Sequence, residues 1–403
     1  MSPTEPAVSK KDRAHARPEG EAYDVAVIGA GIAGTSAASA LTLAGLRTVL
    51  VDFRERHPAE FRAEKIGQRQ IDFFDAFGLG PAAREQMTAF DGVWVQRFGR
   101  IVEKEDKREY SSAYGDLVNA LRDALPQSVD RITARVAWAR TGDDMQQVGL
   151  RDGRVLNARL LVVATGSGDA VRRDLGIERV MKSPGHSTSL GFDLANPATD
   201  FPFASLVWMS ERPADRMAYL TLFPMAGRMR ANLFVYRAVD DPWCASFRAD
   251  PDETLHRLLP RFASVFTPLQ VAGEVQIRPI DIAVVKNHRQ PGAVLIGDAF
   301  FVTCPVSGTG MDKALNDVDR LRRLVPEWLK TPGMGVQKVN AFYDDPEKQR
   351  VDAGSLEIAM RERAVRMDPS FHGTFLRVKR KVLRRAAYRL RDALGRRRGI
   401  AAG

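Results

Sequence analysis

The chain reads as an α/β protein: a parallel sheet with helical crossovers, interrupted by an antiparallel β-sheet insertion and followed by a helical C-terminus. Three observations predict this. An apolar run, Val25-Ala26-Val27-Ile28, ends in Gly29-Ala30-Gly31-Ile32-Ala33-Gly34, and a second run, Thr48-Val49-Leu50-Val51, closes at Asp52. Two more apolar runs, at 160–164 and 293–296, each pass into a turn, Thr165-Gly166 and Gly297-Asp298. Between them, from about Lys182 to Val285, short alternating runs such as AYLTLF and RANLFVY take over. Unbroken apolar runs suit strands buried on both faces, as in parallel sheets, whereas alternation suits antiparallel strands with one wet face.

The first of these stretches carries chemistry. Gly29, Gly31 and Gly34 form a G-x-G-x-x-G turn between strand and helix, so backbone can approach a pyrophosphate. The N–H groups of Ile32 and Ala33 and the helix dipole face the same anion. Ala38 and Leu41 fall on the sheet-facing side, Gly45 closes the helix, and Asp52, followed by Phe53, can accept ribose hydroxyls. Glycines also make ordinary tight turns; the full order of strand, turn, helix, strand and acid marks a Rossmann-like dinucleotide site.

Next comes a helix stopped by Gly78 and Gly80, with Ile71, Phe74 and Phe77 inward. Arg62, Lys65 and Gln68 precede it closely enough to reach a bound cofactor, although a solvated charged loop reads equally well. Val93–Glu103 is strand-like, an amphipathic helix runs from Tyr114 to Leu125 before Pro126, and strands follow at 131–139 and 147–150. Asp152-Gly153 and Met225-Ala226-Gly227 are hairpin turns, and Asp252–Phe266 is the one clear helix of the insertion. After Gly297-Asp298, the segment Cys304-Pro305-Val306-Ser307-Gly308-Thr309-Gly310-Met311 opens a helix carrying Ala314, Leu315 and Val318. The rest is helical, with breaks expected at Pro326 and Pro332-Gly333.

Bulk properties exclude several classes. In 403 residues two distant cysteines, Cys244 and Cys304, make neither a disulfide framework nor a zinc site; no metal is expected, and the usage suits the cytoplasm. No run is long and apolar enough for a transmembrane helix, and residues 1–21 read as a disordered leader without a signal core. The net charge of +10 is local: residues 361–403 hold 14 Lys and Arg against 3 Asp and Glu. There Phe371, Phe375, Val378, Val382, Ala386, Leu390 and Leu394 recur at helical spacing among the basic residues. A basic amphipathic helix suits an anionic membrane surface and a peripheral position there; a helix packed on the body with its basic face solvated is the alternative. Nucleic acid is not an expected partner, since stacking aromatics beyond Tyr388 are absent from this tail.

Three anchors together carry a resemblance: the fingerprint with Asp52, LVVATGSGDAVRR at 161–173, and VLIGDAFFVTCPVSGTGMDKALND at 294–317. In this order and spacing they resemble the FAD-dependent monooxygenases of the p-hydroxybenzoate-hydroxylase type (group A flavoprotein hydroxylases), over about residues 22–330. The resemblance implies a Rossmann-like FAD-binding domain (22–75, 101–180 and 281–330), an inserted antiparallel substrate domain (76–100 and 181–280) and C-terminal helices (331–403). It also implies that Asp298, after Gly297, bonds the FAD ribityl chain and that Pro305 lies against the isoalloxazine. Gly308, Thr309 and Gly310, with Met311, would face the flavin's pyrimidine end, where a helix N-terminus stabilises the anionic reduced flavin. Gly29, Gly31 and Asp52 would hold the ADP half, with Val136 at the adenine. The chain departs from the family pattern in three places. Thr165-Gly166 stands for Asp-Gly, Asp169 for serine, and Tyr114 for an arginine.

The implied reaction is reduction of FAD by transiently bound NAD(P)H, capture of O2 as a flavin C4a-hydroperoxide, and oxygen transfer to an apolar small molecule. That substrate is expected to be aromatic, polyketide- or isoprenoid-like. His186 and His288 are candidate bases, each more ordinary as a structural histidine. Tyr219, Tyr236, Trp208 and Phe234 could line a pocket or simply form core. A flavin halogenase would need a W-x-W-x-I-P segment, which the sequence lacks. A reductase of the geranylgeranyl type remains a competitor, and a non-enzymatic binding protein on the same scaffold is disfavoured by Gly297-Asp298.

Overall fold

The computed structural model describes residues 22–210, 212–379 and 382. The predicted leader and most of the basic tail therefore lie outside the described residues. Among those described, the strands form one sheet of seven and one of nine.

The first sheet is built on β1 (Tyr23–Ile28) and β2 (Thr48–Asp52). The second sheet's first members are β3 (Ala63–Gly67), β4 (Thr88–Arg97) and β5 (Arg100–Ala113). The chain then returns to the first sheet with β6 (Asp130–Thr133), β7 (Val136–Arg140), β8 (Gln146–Leu150) and β9 (Val155–Val163). The insertion follows as β10 (Glu178–Leu194), β11 (Ser205–Met209), β12 (Met217–Met225), β13 (Arg228–Val235) and β14 (Val271–Lys286). Finally β15 (Ala293–Leu295) completes the first sheet and β16 (Phe301–Val302) edges the second.

In the first sheet β6, β2, β1, β9 and β15 run parallel, with β8 and β7 added as an antiparallel flap. Because the parallel strands point one way, Gly29, Asp52, Ala164 and Gly297 all emerge at the same edge. This is where open α/β sheets bind ligands. α1 (Ile32–Leu43), α2 (Gln68–Ala76), α3 (Gly80–Gln86) and α4 (Tyr114–Asp123) pack on this sheet's apolar face. Ile71, Phe74 and Phe77 are fully buried there, as their spacing predicts. α5 (Ala170–Asp174) is a short turn after β9, α6 (Pro242–Ala249) and α7 (Pro251–Leu258) cover the insertion sheet, and α8 (Gly310–Trp328) crosses back over α1. α9 (Val336–Tyr343) and α10 (Pro346–Met367) finish the core, and a further helical stretch spans 371–379.

Three expectations are corrected. The boundary at residue 101 falls inside the β4–β5 hairpin, so 101–113 belongs with the insertion sheet, as does β3 through its pairing with β5. The helix expected at 252–266 stops at Leu258: Asp250 caps its N-terminus, and beyond Leu259 comes Pro260, before which helix is disfavoured. Pro326 does not end its helix; α8 continues two residues beyond it, to Trp328. No helix of the described residues is long and apolar enough to cross a membrane.

Candidate active site

Four segments converge at the strand edge. Gly29 has φ +100°, and a Cβ there would lie 2.5 Å from the Ala164 carbonyl oxygen. A Cβ on Gly34 would lie 1.8 Å from the Gly29 carbonyl, and one on Gly297 (φ +58°) 3.3 Å from Ala33 Cβ. The fingerprint therefore packs backbone to backbone on Ala164–Thr165, with no room for a side chain at Gly29 or Gly34, and the Gly297 turn sits against the Ala33 methyl. Gly31 caps α1, and the Tyr114 hydroxyl reaches to 3.2 Å from where its Cβ would stand. The Tyr114 phenol thus occupies the helix N-terminus where the family pattern would put an arginine. Arg62 stacks over that ring, 4.1 Å from its centroid.

Asp52 holds the fingerprint as well as facing it. Its Oδ2 accepts from Ala30 N at 2.7 Å and its Oδ1 from Arg54 N at 2.9 Å. Each carboxylate oxygen keeps a second lone pair for a ribose hydroxyl. Arg122, buried in α4, completes this corner: Nε donates to Ala30 O at 2.7 Å, and Nη2 lies 3.5 Å from Asp52 Oδ2. Sequence reasoning missed Arg122. The available signal was a charged residue on the buried stripe formed by Leu117, Val118 and Leu121. Asp52, Arg54, Arg122, Arg131 and Thr133 line a shallow, open recess beside the fingerprint.

The remaining predicted residues divide. Thr165, Gly166, Gly297 and Asp298 lie in the cradle; Arg179 spans it, 3.4 Å from Gly166 O and 3.5 Å from Asp298 O. Pro305 begins a 3₁₀ turn, Gly308 takes φ +68°, Thr309 precedes α8, and Gly310 and Met311 are its first residues. This helix N-terminus faces the cradle. Phe53 is 44% exposed and sandwiched by Arg54 and Arg135, and Val136 opens β7 nearby. Two residues are engaged elsewhere: Lys65 pairs with Glu109 at 2.8 Å across β3 and β5, and Gln68 donates to Asp72 at 2.8 Å within α2.

On the insertion side, Tyr219 and Tyr236 stand in a seam between the second sheet, the Pro305–Ser307 turn and α10. Tyr219 Oη reaches Pro305 O at 3.4 Å, and Tyr236 Oη has no hydrogen-bond partner among the described residues. Burial pushes both phenols well above their usual range, so both are protonated donors at neutral pH. Cys304 Sγ sits 3.2 Å from Ser187 Oγ, its thiol likewise raised by burial. Neither histidine has the character of a base. His186 bonds Ser183 Oγ at 3.0 Å, and burial, then Arg363, lowers it. His288 is wedged edge-on against Tyr343 and Phe300 and is pushed down to about 4 by burial, then by Arg289 and Lys348.

The family described as FAD binding domain matches residues 22–335. The chain is 24% identical to 3-demethoxyubiquinol 3-hydroxylase of Escherichia coli K12 over 339 residues, 74% of this chain and 78% of that one. It is also 24% identical to squalene epoxidase of Aspergillus fumigatus, over 78% of this chain and 68% of that one. Its fold matches Klebsiella pneumoniae HpxO complexed with FAD and uric acid at a TM-score of 0.67 and 18% identity, covering 90% and 92% of the two chains. With a family match across most of its length, the chain belongs to the FAD binding domain family, among the group A flavoprotein monooxygenases.

Proposed function

We propose that this enzyme inserts one oxygen atom from O2 into an apolar aromatic, polyketide- or isoprenoid-like small molecule, by hydroxylation or epoxidation, with NAD(P)H as reductant. The observation that carries the reading is the meeting of the fingerprint with the Thr165-Gly166 and Gly297-Asp298 turns and the first turn of α8, with two buried, protonated phenols beside the Pro305 turn. FAD, once reduced, supplies the electron pair with which O2 is divided between product and water. Gly29, Gly31 and Gly34 admit the pyrophosphate, Asp52 and the recess beside it the ribose, and Asp298 the ribityl chain. The N–H groups at Gly308–Gly310 meet negative charge on the flavin ring. Tyr219 and Tyr236 hold protons at Oη and orient an oxygen of the substrate. The test is turnover of a prenylated phenol under ¹⁸O2: one labelled oxygen in the product, with NAD(P)H consumed, is expected. NAD(P)H consumption with a saturated, unlabelled product would favour the reductase alternative.

The names of the relatives, a hydroxylase of demethoxyubiquinol and a squalene epoxidase, support an isoprenoid-like substrate. So does the exposed apolar face formed by Phe371 (87% exposed), Phe375 and Val378 at helical spacing. Beside the basic run of the tail this face suits an anionic lipid surface. Co-sedimentation with vesicles containing phosphatidylserine, abolished by Phe371→Ser with Phe375→Ser, is the expected result. Equal pelleting of the double variant would count against the membrane reading.

A further inference from the structure

Between α8 and α10 lies a chain of charges that the chemistry above does not use. Lys348 of α10 and Asp317 of α8 are fully buried, with Lys348 Nζ 2.7 Å from Asp317 Oδ1 and 3.0 Å from Asp352 Oδ2. The other oxygen of Asp317 accepts from the Gly297 N–H at 2.9 Å. On the opposite side of the same residue, fully buried Lys313 donates from Nζ to the Gly297 carbonyl at 2.9 Å. Lys348 also stacks over Phe300, 4.1 Å from its centroid, three residues beyond Gly297.

Burying ionic groups is costly, and well-packed apolar residues of similar volume would hold two helices together as firmly. What an apolar substitute could not do is bond both backbone polar groups of one residue. Gly297 is in the left-handed region (φ +58°), wedged between Ala33 and Ala314, and its N–H and C=O both point into the protein. The carbonyl also accepts the Phe300 N–H at 3.1 Å, whereas the N–H without Asp317 would be left unpaired and would destabilise this turn. With both held by charged partners, the turn has one conformation, and Asp298 leaves it in one direction. The two lysines and two carboxylates balance, so no net charge is buried.

We propose that Lys348 and Asp317 are positioning residues for the cofactor: an ion chain from α10 through α8 to the peptide of Gly297 fixes where Asp298 presents its carboxylate to FAD. The inference rests on the FAD reading and deepens it. α10 also lines the proposed substrate seam through Ala359, and its Arg366 reaches Ser210 O, just beyond β11, at 3.4 Å. One helix therefore touches both the flavin turn and the substrate side, and a shift of α10 is felt at both.

The test is FAD titration of the apoprotein, followed by flavin fluorescence and visible circular dichroism, alongside the melting temperature. Lys348→Met is expected to weaken FAD binding at least tenfold and to alter the visible dichroism of the bound flavin, with Lys348→Arg restoring most of both. Phe247→Leu, in the core of the insertion sheet, is the control for general destabilisation: its melting temperature falls while its FAD affinity stays within twofold of wild type. Lys313→Met, which takes the charged donor from the Gly297 carbonyl and leaves it the Phe300 N–H but keeps the Lys348–Asp317 pair, carries the same expectation if Lys348→Met does not fold. An FAD affinity and dichroism unchanged in the lysine variants, with only the melting temperature lowered, overturns the proposal. Tight FAD binding by the wild type keeps this question separate from that of the cofactor's identity.

Discussion

Gly34 shows how little room the cradle leaves. A methyl group there would stand 1.8 Å from a backbone oxygen, which cannot rotate away. Gly34→Ala is therefore expected to lose about 1–3 kcal/mol of stability, typical of overpacking. It should also weaken FAD binding by roughly tenfold or more, about 1.4 kcal/mol, measured by titration of the apoprotein. His288 yields a pH prediction. Its ordinary value is 6.5 and its folded value about 4, so as pH falls through this window the unfolded chain takes up a proton that the native chain refuses. Stability is lost over that range, and His288→Phe should flatten the dependence of melting temperature on pH between 6.5 and 4 while leaving the neutral region alone. An unchanged slope contradicts it. The glycines and Asp52 were legible as residues because only they satisfy the turn's geometry. Arg122, Lys313, Asp317 and Lys348 were not, since a buried charge looks like a surface charge until its partner, up to 92 positions away, is known.

At the scale of elements, the parallel strands that lie beside one another bring residues 29, 52, 165 and 297 to one edge of the sheet. This was readable, because four apolar runs each ending in a turn or an acid imply a parallel sheet with one functional edge. The insertion was readable only in texture. Its register, and its capture of β3 and all of β5, depend on long-range pairing that alternation does not encode. Arg230 joins the two halves: 2% exposed, it pairs with Asp193 at 3.1 Å, stacks 3.4 Å over Phe61 and bonds the Phe61 carbonyl. Phe61 precedes Arg62 in the loop that approaches the cradle. Arg230→Met leaves Asp193 without this cation and should cost about 3 kcal/mol in denaturant unfolding. A loss below about 1 kcal/mol, the worth of an exposed pair, would mean the contact is superficial.

The whole molecule sets a mostly parallel sheet against a larger, largely antiparallel one, and α10 packs on α8, on the Pro305 turn and on β12. The basic excess belongs to the tail, which separates any interaction with an anionic surface from the chemistry of a nearly neutral body. What remains is whether the cradle holds a flavin that turns over with oxygen. Purified protein should carry FAD, be bleached anaerobically by NAD(P)H, and on admission of O2 pass through a transient near-ultraviolet band before the oxidised spectrum returns. Protein that takes up FAD and is reduced, but reoxidises with no transient and no oxygenated product, would contradict the monooxygenase account.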